Sequence, residues 1–166
     1  MTEGNATLRT ATIDDLDTLV ELWWESSHYH EELEPRFQYG SGARKATREF
    51  FAKQMESENS CYWVAQNEDG IIGYVEAMVI ERPPIHAMRR IGYLGSIYVK
   101  PEARQKGFGT KLWKLARDWF EEKEVSIIDL MVASKNPAAI EFWKKFNFSE
   151  IMIRLEVDIS EFNLAD

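Results

Sequence analysis

The chain has 166 residues, of which 45% are hydrophobic and 13% aromatic, and its formal net charge is −8. This length predicts one domain with a hydrophobic core, and the hydrophobic content excludes intrinsic disorder. The acidic balance argues against nucleic-acid binding, which needs a basic surface. No apolar run reaches membrane-spanning length and no signal-peptide pattern is visible, so we expect a cytoplasmic protein without a membrane partner. Cys61 is the only cysteine, which excludes an internal disulfide and a multi-cysteine metal site.

The N-terminal half of the chain predicts three strands and two helices. In order, these are a strand over residues 7–11, a helix that starts at Asp14 or Asp15 and loses its pattern through residues 26–32, a helix over residues 43–55, and strands over residues 61–66 and 71–80. The Asp69-Gly70 dipeptide between the last two strands is typical of a hairpin turn.

The C-terminal half alternates strands with helices. It predicts a strand over residues 90–99, a helix up to about Glu124, a strand over 126–132, a helix over 138–146 and a last strand over 148–159. Asn136 and Pro137 are the expected cap and first residue of the second of these helices. The order β-α-α-β-β-β-α-β-α-β predicts an α/β fold (an α+β mixed sheet) with helices on both faces, as a single domain over residues 1–166.

A glycine-containing turn joins the strand over residues 90–99 to the helix after it. The turn reads Arg104-Gln105-Lys106-Gly107-Phe108-Gly109. Glycine lets backbone N–H groups face a ligand without an obstructing Cβ, and a helix N-terminus adds unpaired donors and partial positive charge. The turn therefore predicts a phosphate or pyrophosphate site held by main chain, with Arg104 or Lys106 nearby for charge. A P-loop is disfavoured because Thr110-Lys111 follows the last glycine in reversed order.

Two motifs together resemble the GNAT superfamily of acyl-CoA-dependent N-acetyltransferases. The first is the turn over residues 104–109, which is similar to the family's pyrophosphate loop, Gln/Arg-x-x-Gly-x-Gly/Ala. The second runs from Asn136 to Phe148 and is similar to Asn-x-x-Ala-x-x-Phe-Tyr-x-x-x-Gly-Phe. One helix and one strand lie between the motifs, as in the family. The resemblance implies the GNAT-type fold and direct transfer of an acetyl group from acetyl-CoA to a primary amine, without a metal.

The second motif departs from the family at two positions. Trp143 stands where relatives often carry a tyrosine, whose hydroxyl is thought to protonate the departing CoA thiolate. An indole N–H cannot serve as that acid, so solvent or another tyrosine would have to do so. Asn147 stands where relatives often carry glycine, and we expect it to adopt the left-handed backbone that glycine supplies at a helix end.

The resemblance also implies which residues bind acetyl-CoA. The pyrophosphate would lie on the amides of residues 105–110, and the pantetheine arm would pair with main chain at residues 97–99. The full set of expected cofactor-binding residues is Ile97, Tyr98, Val99, Arg104, Gln105, Lys106, Gly107, Phe108, Gly109, Thr110, Asn136, Phe142 and Trp143. For Phe142 and Trp143, core packing is the simpler interpretation.

The attacking amine must lose a proton, because with a pKa near 10.4 only about one molecule in ~10³ is neutral at pH 7. Relatives often carry a carboxylate on the strand before the pyrophosphate loop. In this chain that position falls near Tyr93 or Gly95, and neither is acidic. The remaining candidates for the general base are Tyr93, Glu76 on the preceding strand, and the cluster of His28, His30 and Glu31.

The acidic composition slightly favours a small cationic acceptor, such as a polyamine, an amino-acid derivative or an aminoglycoside, over a protein N-terminus. A rival hypothesis is an acyl-CoA-binding sensor or interaction module that kept the cofactor site and lost catalysis. The missing tyrosine and the missing strand carboxylate favour that rival. Homodimers are common in the family, and the alternating last strand offers an edge for one.

Overall fold

A five-stranded sheet in the order β1-β2-β3-β4-β5 organises the larger part of the computed structural model, which describes residues 6–159. The elements are β1 (Thr7–Thr10), α1 (Leu16–Leu33), α2 (Ala43–Met55), β2 (Ser60–Asn67), β3 (Gly70–Glu81), β4 (Arg90–Val99), α3 (Phe108–Glu122), β5 (Ile128–Leu130) and α4 (Pro137–Lys144). Three short 3-10 helices lie before α1, after α1 and after β4. The described chain divides into two units, residues 6–133 and residues 134–159.

Strands β1 to β4 are antiparallel neighbours, whereas β4 and β5 are parallel. The predicted hairpin between β2 and β3 is confirmed: Asn67 faces Gly70, and the Asn67 side chain accepts a hydrogen bond of 3.0 Å from the Asp69 amide. This Asx-type contact and the positive φ of Gly70, 121°, close the turn. The parallel pairing of β4 with β5 requires a crossover, which α3 supplies.

Helices cover both faces of the sheet, as the sequence predicts. Tyr62 and Val64 of β2 belong to a buried cluster with Leu19 and Leu22 of α1. Trp63, which points to the opposite face, packs edge-on against Trp119 of α3. The mixed α/β fold class is therefore confirmed, and α1 and α2 lie across the sheet from α3.

Helix α1 is longer than the sequence predicts. The pattern fades through residues 26–32, yet the helix continues to Leu33. Ser26 and Ser27 are small enough to be buried there. Ser27 Oγ donates to the Trp23 carbonyl at 2.9 Å and His30 Nδ1 contacts the Ser26 carbonyl at 2.8 Å, so both polar side chains are satisfied within the helix itself.

The prediction of a last strand over residues 148–159 is wrong. Residues 148–158 form no strand, and their apolar side chains, such as Ile151 (79% exposed) and Leu155 (89% exposed), face solvent. Alternation specifies only which side chains share a face, whereas a strand also needs a neighbour for its backbone hydrogen bonds. Within the described part of the chain, these residues have no such neighbour.

Both ends of α4 are closed as the sequence predicts. The Asn136 side chain accepts a hydrogen bond of 3.1 Å from the Ala139 amide, and Pro137 is the first helical residue. After the helix, Asn147 has a φ of 64°. The Phe148 amide donates to the Trp143 carbonyl at 3.3 Å and the Asn147 amide to the Lys144 carbonyl at 3.1 Å, which together form a Schellman motif.

The left-handed backbone of Asn147 makes a stability prediction. Replacing Asn147→Ala should lower the free energy of unfolding by about 1 kcal/mol, because a Cβ without a local hydrogen bond is disfavoured there. Asn147→Gly should be neutral or slightly stabilising. Urea denaturation followed by circular dichroism measures both variants, and equal losses for alanine and glycine would contradict this account.

Candidate active site

The connection between β4 and α3 has the geometry of an anion-binding loop. Gln105 and Gly107 both have a positive φ, 61° and 80°, and Gly107 is the N-terminal cap of α3. The first helical hydrogen bond is donated by the Lys111 amide to the Gly107 carbonyl. Within residues 6–159, the amides of residues 105–110 donate to no backbone carbonyl. They are therefore available to the oxygens of a phosphate.

The two basic side chains of this loop make local contacts. Arg104 Nε donates to the Val99 carbonyl at 2.9 Å, and its guanidinium lies 5.7 Å from the ring centre of Tyr98. Lys106 Nζ donates to the Glu102 carbonyl at 3.0 Å. In this arrangement the main chain carries the anion-binding capacity, and phosphate contact by Arg104 or Lys106 stays a prediction.

Strand β4 presents an open edge next to this loop. It pairs with β5 only from Gly92 to Leu94, although it continues to Val99. Within the described residues, main chain over 95–99 has no strand partner on that side. An extended ligand such as a pantetheine arm can add there as a strand would, which is the place predicted for Ile97, Tyr98 and Val99.

Glu76 of β3 is a buried carboxylate, only 3% exposed. Tyr62 lies directly opposite it on β2, and the Tyr62 hydroxyl donates to Glu76 Oε1 at 2.5 Å. Burial raises the pKa of Glu76 from 4.5 to about 7, and the Tyr62 hydrogen bond partly opposes that rise. Near neutral pH, Glu76 is therefore able both to accept and to release a proton.

A bulge in β4 makes room for this carboxylate. Glu76 faces Ser96 and Ala77 faces Leu94, so Gly95 is the extra residue of β4. A Cβ on Gly95 would lie 2.5 Å from Glu76 Oε2. The usual position of the family's carboxylate was predicted near Tyr93 or Gly95, where the chain has no acid. The structure brings a carboxylate from the neighbouring strand to Gly95.

A cavity of about 400 Å³ opens beside Glu76 and Gly95. Its other walls come from α1, α2 and the connection between them, chiefly Trp23, His30, Tyr39 and Phe50. His30 Nδ1 lies 2.8 Å from the Ser26 carbonyl, which only accepts hydrogen bonds. In the neutral ring the proton therefore sits on Nδ1, and Nε2 keeps its lone pair.

The structure brings together two of the five candidates for the general base. Among the described residues that line the cavity are Glu76 and His30, but not Tyr93 or Glu31. Burial raises the pKa of Tyr93 above its ordinary value, so its phenol stays neutral at pH 7 and is a poor base. The Glu31 carboxylate accepts a hydrogen bond of 2.9 Å from the Tyr39 amide, which holds the connection after α1.

Sequence reasoning missed Tyr62 and the role of Gly95. Asn67 faces Gly70 in the hairpin, so unbroken pairing would place Tyr62 opposite Val75. A register shift between Ala65 and Gln66 moves Tyr62 opposite Glu76 instead. No pattern in the sequence predicts that shift.

His28 of the predicted cluster is exposed, and its Nδ1 contacts the Trp24 carbonyl at 3.0 Å.

The residues of the second motif form a local aromatic cluster. Trp143 is buried, and its ring centre lies 4.9 Å from that of Phe142 and 5.2 Å from that of Phe148. Asn136 is buried while it caps α4. The packing interpretation of Phe142 and Trp143 fits these contacts. Cofactor contact by Asn136, Phe142 and Trp143 stays a prediction.

Two features are absent from the described part of the chain. Within residues 6–159, no three histidine, cysteine, aspartate or glutamate side chains gather in a way that suits a metal ion. None of the helices in that part of the chain is long and apolar enough to cross a membrane.

Comparison with known proteins identifies the family. The model of the Acetyltransferase (GNAT) family matches residues 16–148. An uncharacterized N-acetyltransferase from Methanocaldococcus jannaschii is 27% identical over 144 residues, which are 87% of this chain and 61% of that relative's length. An N-alpha-acetyltransferase from Sulfolobus acidocaldarius is 27% identical over 157 residues, covering 90% of this chain and 83% of the relative.

A solved structure shows the same fold. A predicted acetyltransferase from Clostridium acetobutylicum, crystallised with acetyl-CoA, superposes with a TM-score of 0.74 at 20% sequence identity, covering 95% of this chain and 98% of that one. The family and the fold that the two motifs predict are confirmed. Because the family's model covers most of its length, this chain belongs to the Acetyltransferase (GNAT) family.

Proposed function

We propose that this chain is an acetyl-CoA-dependent N-acetyltransferase that acetylates the primary amine of a small molecule by direct attack. The observation that carries the proposal is the buried carboxylate of Glu76, which lies at the sheet end of a cavity and beside the bulge in β4. A base with a pKa near 7 is what deprotonation of an ammonium group needs at neutral pH.

Acetyl-CoA would bind through main chain. The amides of residues 105–110 suit its pyrophosphate, and the open edge of β4 over residues 95–99 suits its pantetheine arm. The same unpaired N–H groups of β4 can polarise the thioester carbonyl as negative charge develops on its oxygen. The thioester would then lie close to the bulge at Gly95, where the Glu76 carboxylate is held.

The reaction needs one base and no metal. Glu76 takes a proton from the ammonium group of the acceptor, and the neutral nitrogen attacks the thioester carbonyl carbon. A C–N bond forms, the C–S bond breaks, and the CoA thiolate leaves. The nitrogen then loses its second proton, which passes to the thiolate directly or through solvent, so that the products are a neutral amide and the CoA thiol. A thiol of pKa about 8.5 is a good leaving group, so solvent can protonate it without an acid at Trp143. His30, whose Nε2 carries a lone pair, is the second candidate base in the cavity.

The size of the cavity supports a small acceptor. At about 400 Å³ it lies in the lower part of the range of small-molecule sites. The relative from Sulfolobus acidocaldarius is named an N-alpha-acetyltransferase, so a protein N-terminus is the second candidate acceptor. A cytoplasmic location and a homodimer stay predictions. The exposed apolar side chains of residues 151–159 support the homodimer, since a second copy would cover them.

Release of the CoA thiol from acetyl-CoA tests the proposal. The panel contains polyamines, amino acids, aminoglycosides, simple alkyl and aryl amines, and short peptides with a free N-terminus. Release that depends on an amine supports the enzyme. Tight binding of acetyl-CoA without release by any amine would contradict it and favour the non-catalytic acyl-CoA sensor.

The anion-binding loop makes a binding prediction. Gly107→Val should weaken acetyl-CoA binding at least about tenfold, because a β-branched residue at this φ of 80° is strained and would turn the amides away from the pyrophosphate. Gly42→Ala, at another helix N-terminus where an added Cβ meets nothing within 4 Å, is the matched control. Isothermal titration calorimetry measures both, and equal affinities would refute the loop assignment.

Glu76 makes a prediction about pH and rate. Since only its ionised form is a base, kcat/KM should rise with pH through about 7. Glu76→Gln should lower kcat about 10²–10⁴-fold and remove that part of the profile. His30→Gln is the comparison: if it removes the pH dependence and Glu76→Gln does not, His30 is the base.

Although Glu76→Gln should lower the rate, it should raise the free energy of unfolding at high pH. A carboxyl whose folded pKa is raised favours folding while it is protonated, and that contribution is lost as pH rises from about 4.5 to about 7. Glutamine does not ionise, so Glu76→Gln should unfold at higher urea concentration than the parent at pH 8 but not at pH 4. If Glu76→Gln is instead less stable than the parent at pH 8, burial of the ionised carboxylate does not destabilise the fold and this account is wrong.

A further inference from the structure

Aromatic side chains form the outer walls of the cavity beside Glu76. Trp23 of α1 and Tyr39 of the following connection pack edge to face, with ring centres 5.2 Å apart. Phe50 of α2 adds a third ring. Tyr39 and Phe50 are 40% and 42% exposed, although both face a concave site. A ligand that covers these rings would remove apolar surface from water.

Charged side chains are few in the described lining of the cavity. Among the described residues that line it, Glu76 is the single acid, His30 is the single imidazole, and there is no lysine or arginine. The hydroxyls that face it are partly occupied: Ser27 Oγ donates to the Trp23 carbonyl, and Ser96 Oγ pairs with the Tyr74 hydroxyl at 2.8 Å. The described lining therefore supplies no second carboxylate to a further ammonium group and no lysine or arginine to a carboxylate on the ligand.

Two acidic residues of α1 form ion pairs with arginines of α2. Glu21 pairs with Arg44 of α2 at 3.0 Å, and Asp17 pairs with Arg48 at 2.7 Å. These ion pairs join the two helices that form the walls.

We propose that the acceptor is a primary monoamine with an aromatic body, whose amine faces Glu76 and whose ring packs against Trp23, Tyr39 and Phe50. This inference rests on the proposed acetyl transfer and names its substrate class. A polyamine or an aminoglycoside would bring further ammonium groups into the cavity without partners, which costs binding energy. An amino acid would bring its carboxylate toward Glu76, where no lining residue is a lysine or arginine.

Four small acceptors and one peptide test this choice by CoA-thiol release. They are 2-phenylethylamine, phenylalanine, butylamine, 1,4-diaminobutane and a short peptide with a free N-terminus. We expect kcat/KM for 2-phenylethylamine to exceed that for each of the others by about tenfold or more. Butylamine has no ring to bury, and phenylalanine and 1,4-diaminobutane each bring a second charged group into the cavity. A preference for the diamine, for phenylalanine or for butylamine would overturn the inference.

Three variants tie the preference to the cavity. Phe50→Ala should lower kcat/KM for 2-phenylethylamine about tenfold and leave butylamine within about twofold. Ile13→Ala removes an apolar side chain that is 57% exposed and does not belong to the described lining, so it should change neither. Ala46→Asp adds a carboxylate at an exposed wall position of α2 and should raise the use of 1,4-diaminobutane relative to 2-phenylethylamine.

The outcomes separate this inference from the proposed function. If no acceptor releases thiol while acetyl-CoA binds, the acetyl transfer itself is wrong. If the peptide alone is used, the acetyl transfer stands and the acceptor is a protein N-terminus, which overturns the aromatic monoamine. If Phe50→Ala affects butylamine as much as 2-phenylethylamine, the ring does not pack against this wall and the inference fails.

Discussion

Burial of the Glu76 carboxylate is the constraint on which the rest of the site depends. A desolvated carboxylate is costly unless hydrogen bonds support its charge, and here the Tyr62 hydroxyl supplies one at 2.5 Å. Gly95 supplies the space, because any side chain there would collide with the carboxylate. The two effects oppose each other: burial raises the pKa, and the hydrogen bond limits the rise to about 7. A fully exposed glutamate in the same place would be ionised at neutral pH but a much weaker base.

Two irregularities of the sheet place this carboxylate. The shift between Ala65 and Gln66 brings Tyr62 opposite Glu76, and the bulge at Gly95 brings β4 against the same side chain. Because β5 pairs with β4 only as far as Leu94, the edge that follows the bulge stays open and leads to the anion-binding loop. The proposed base thus lies beside the bulge in β4, and the proposed thioester position and the anion-binding loop follow it along that strand. Such local disruptions of pairing are common next to active sites, where they redirect a side chain or end a ladder.

The cavity and the anion-binding loop are built from different groups: the loop from main chain, the cavity from side chains. The anion-binding loop offers main-chain amides and a helix N-terminus, which suit any ligand with a pyrophosphate, such as acetyl-CoA. The cavity is shaped by side chains of α1 and α2 that are mostly aromatic or small, such as Trp23, Ser27 and Phe50. A single buried carboxylate behind aromatic walls favours a ligand with one amino group over a ligand with several. The proposed selection of the acceptor therefore depends on what the walls cannot neutralise as much as on what they contact.

The sequence by itself determined the local features: the span of α2, the span of β4, the Asn136 cap, the left-handed Asn147 and the two motifs that identify the family. Each depends on residues close together in the chain, where periodicity, capping and turn chemistry act directly. The absence of an acid at residues 93 and 95 was also visible, and it left Glu76 as one candidate among several. Only the tertiary structure decided what surrounds Glu76, because a one-residue shift in strand register determines which side chain Glu76 meets. For the same reason the alternation over residues 148–159 predicted a strand that does not form: a strand depends on a partner's backbone, and the sequence of one segment does not specify where that partner lies.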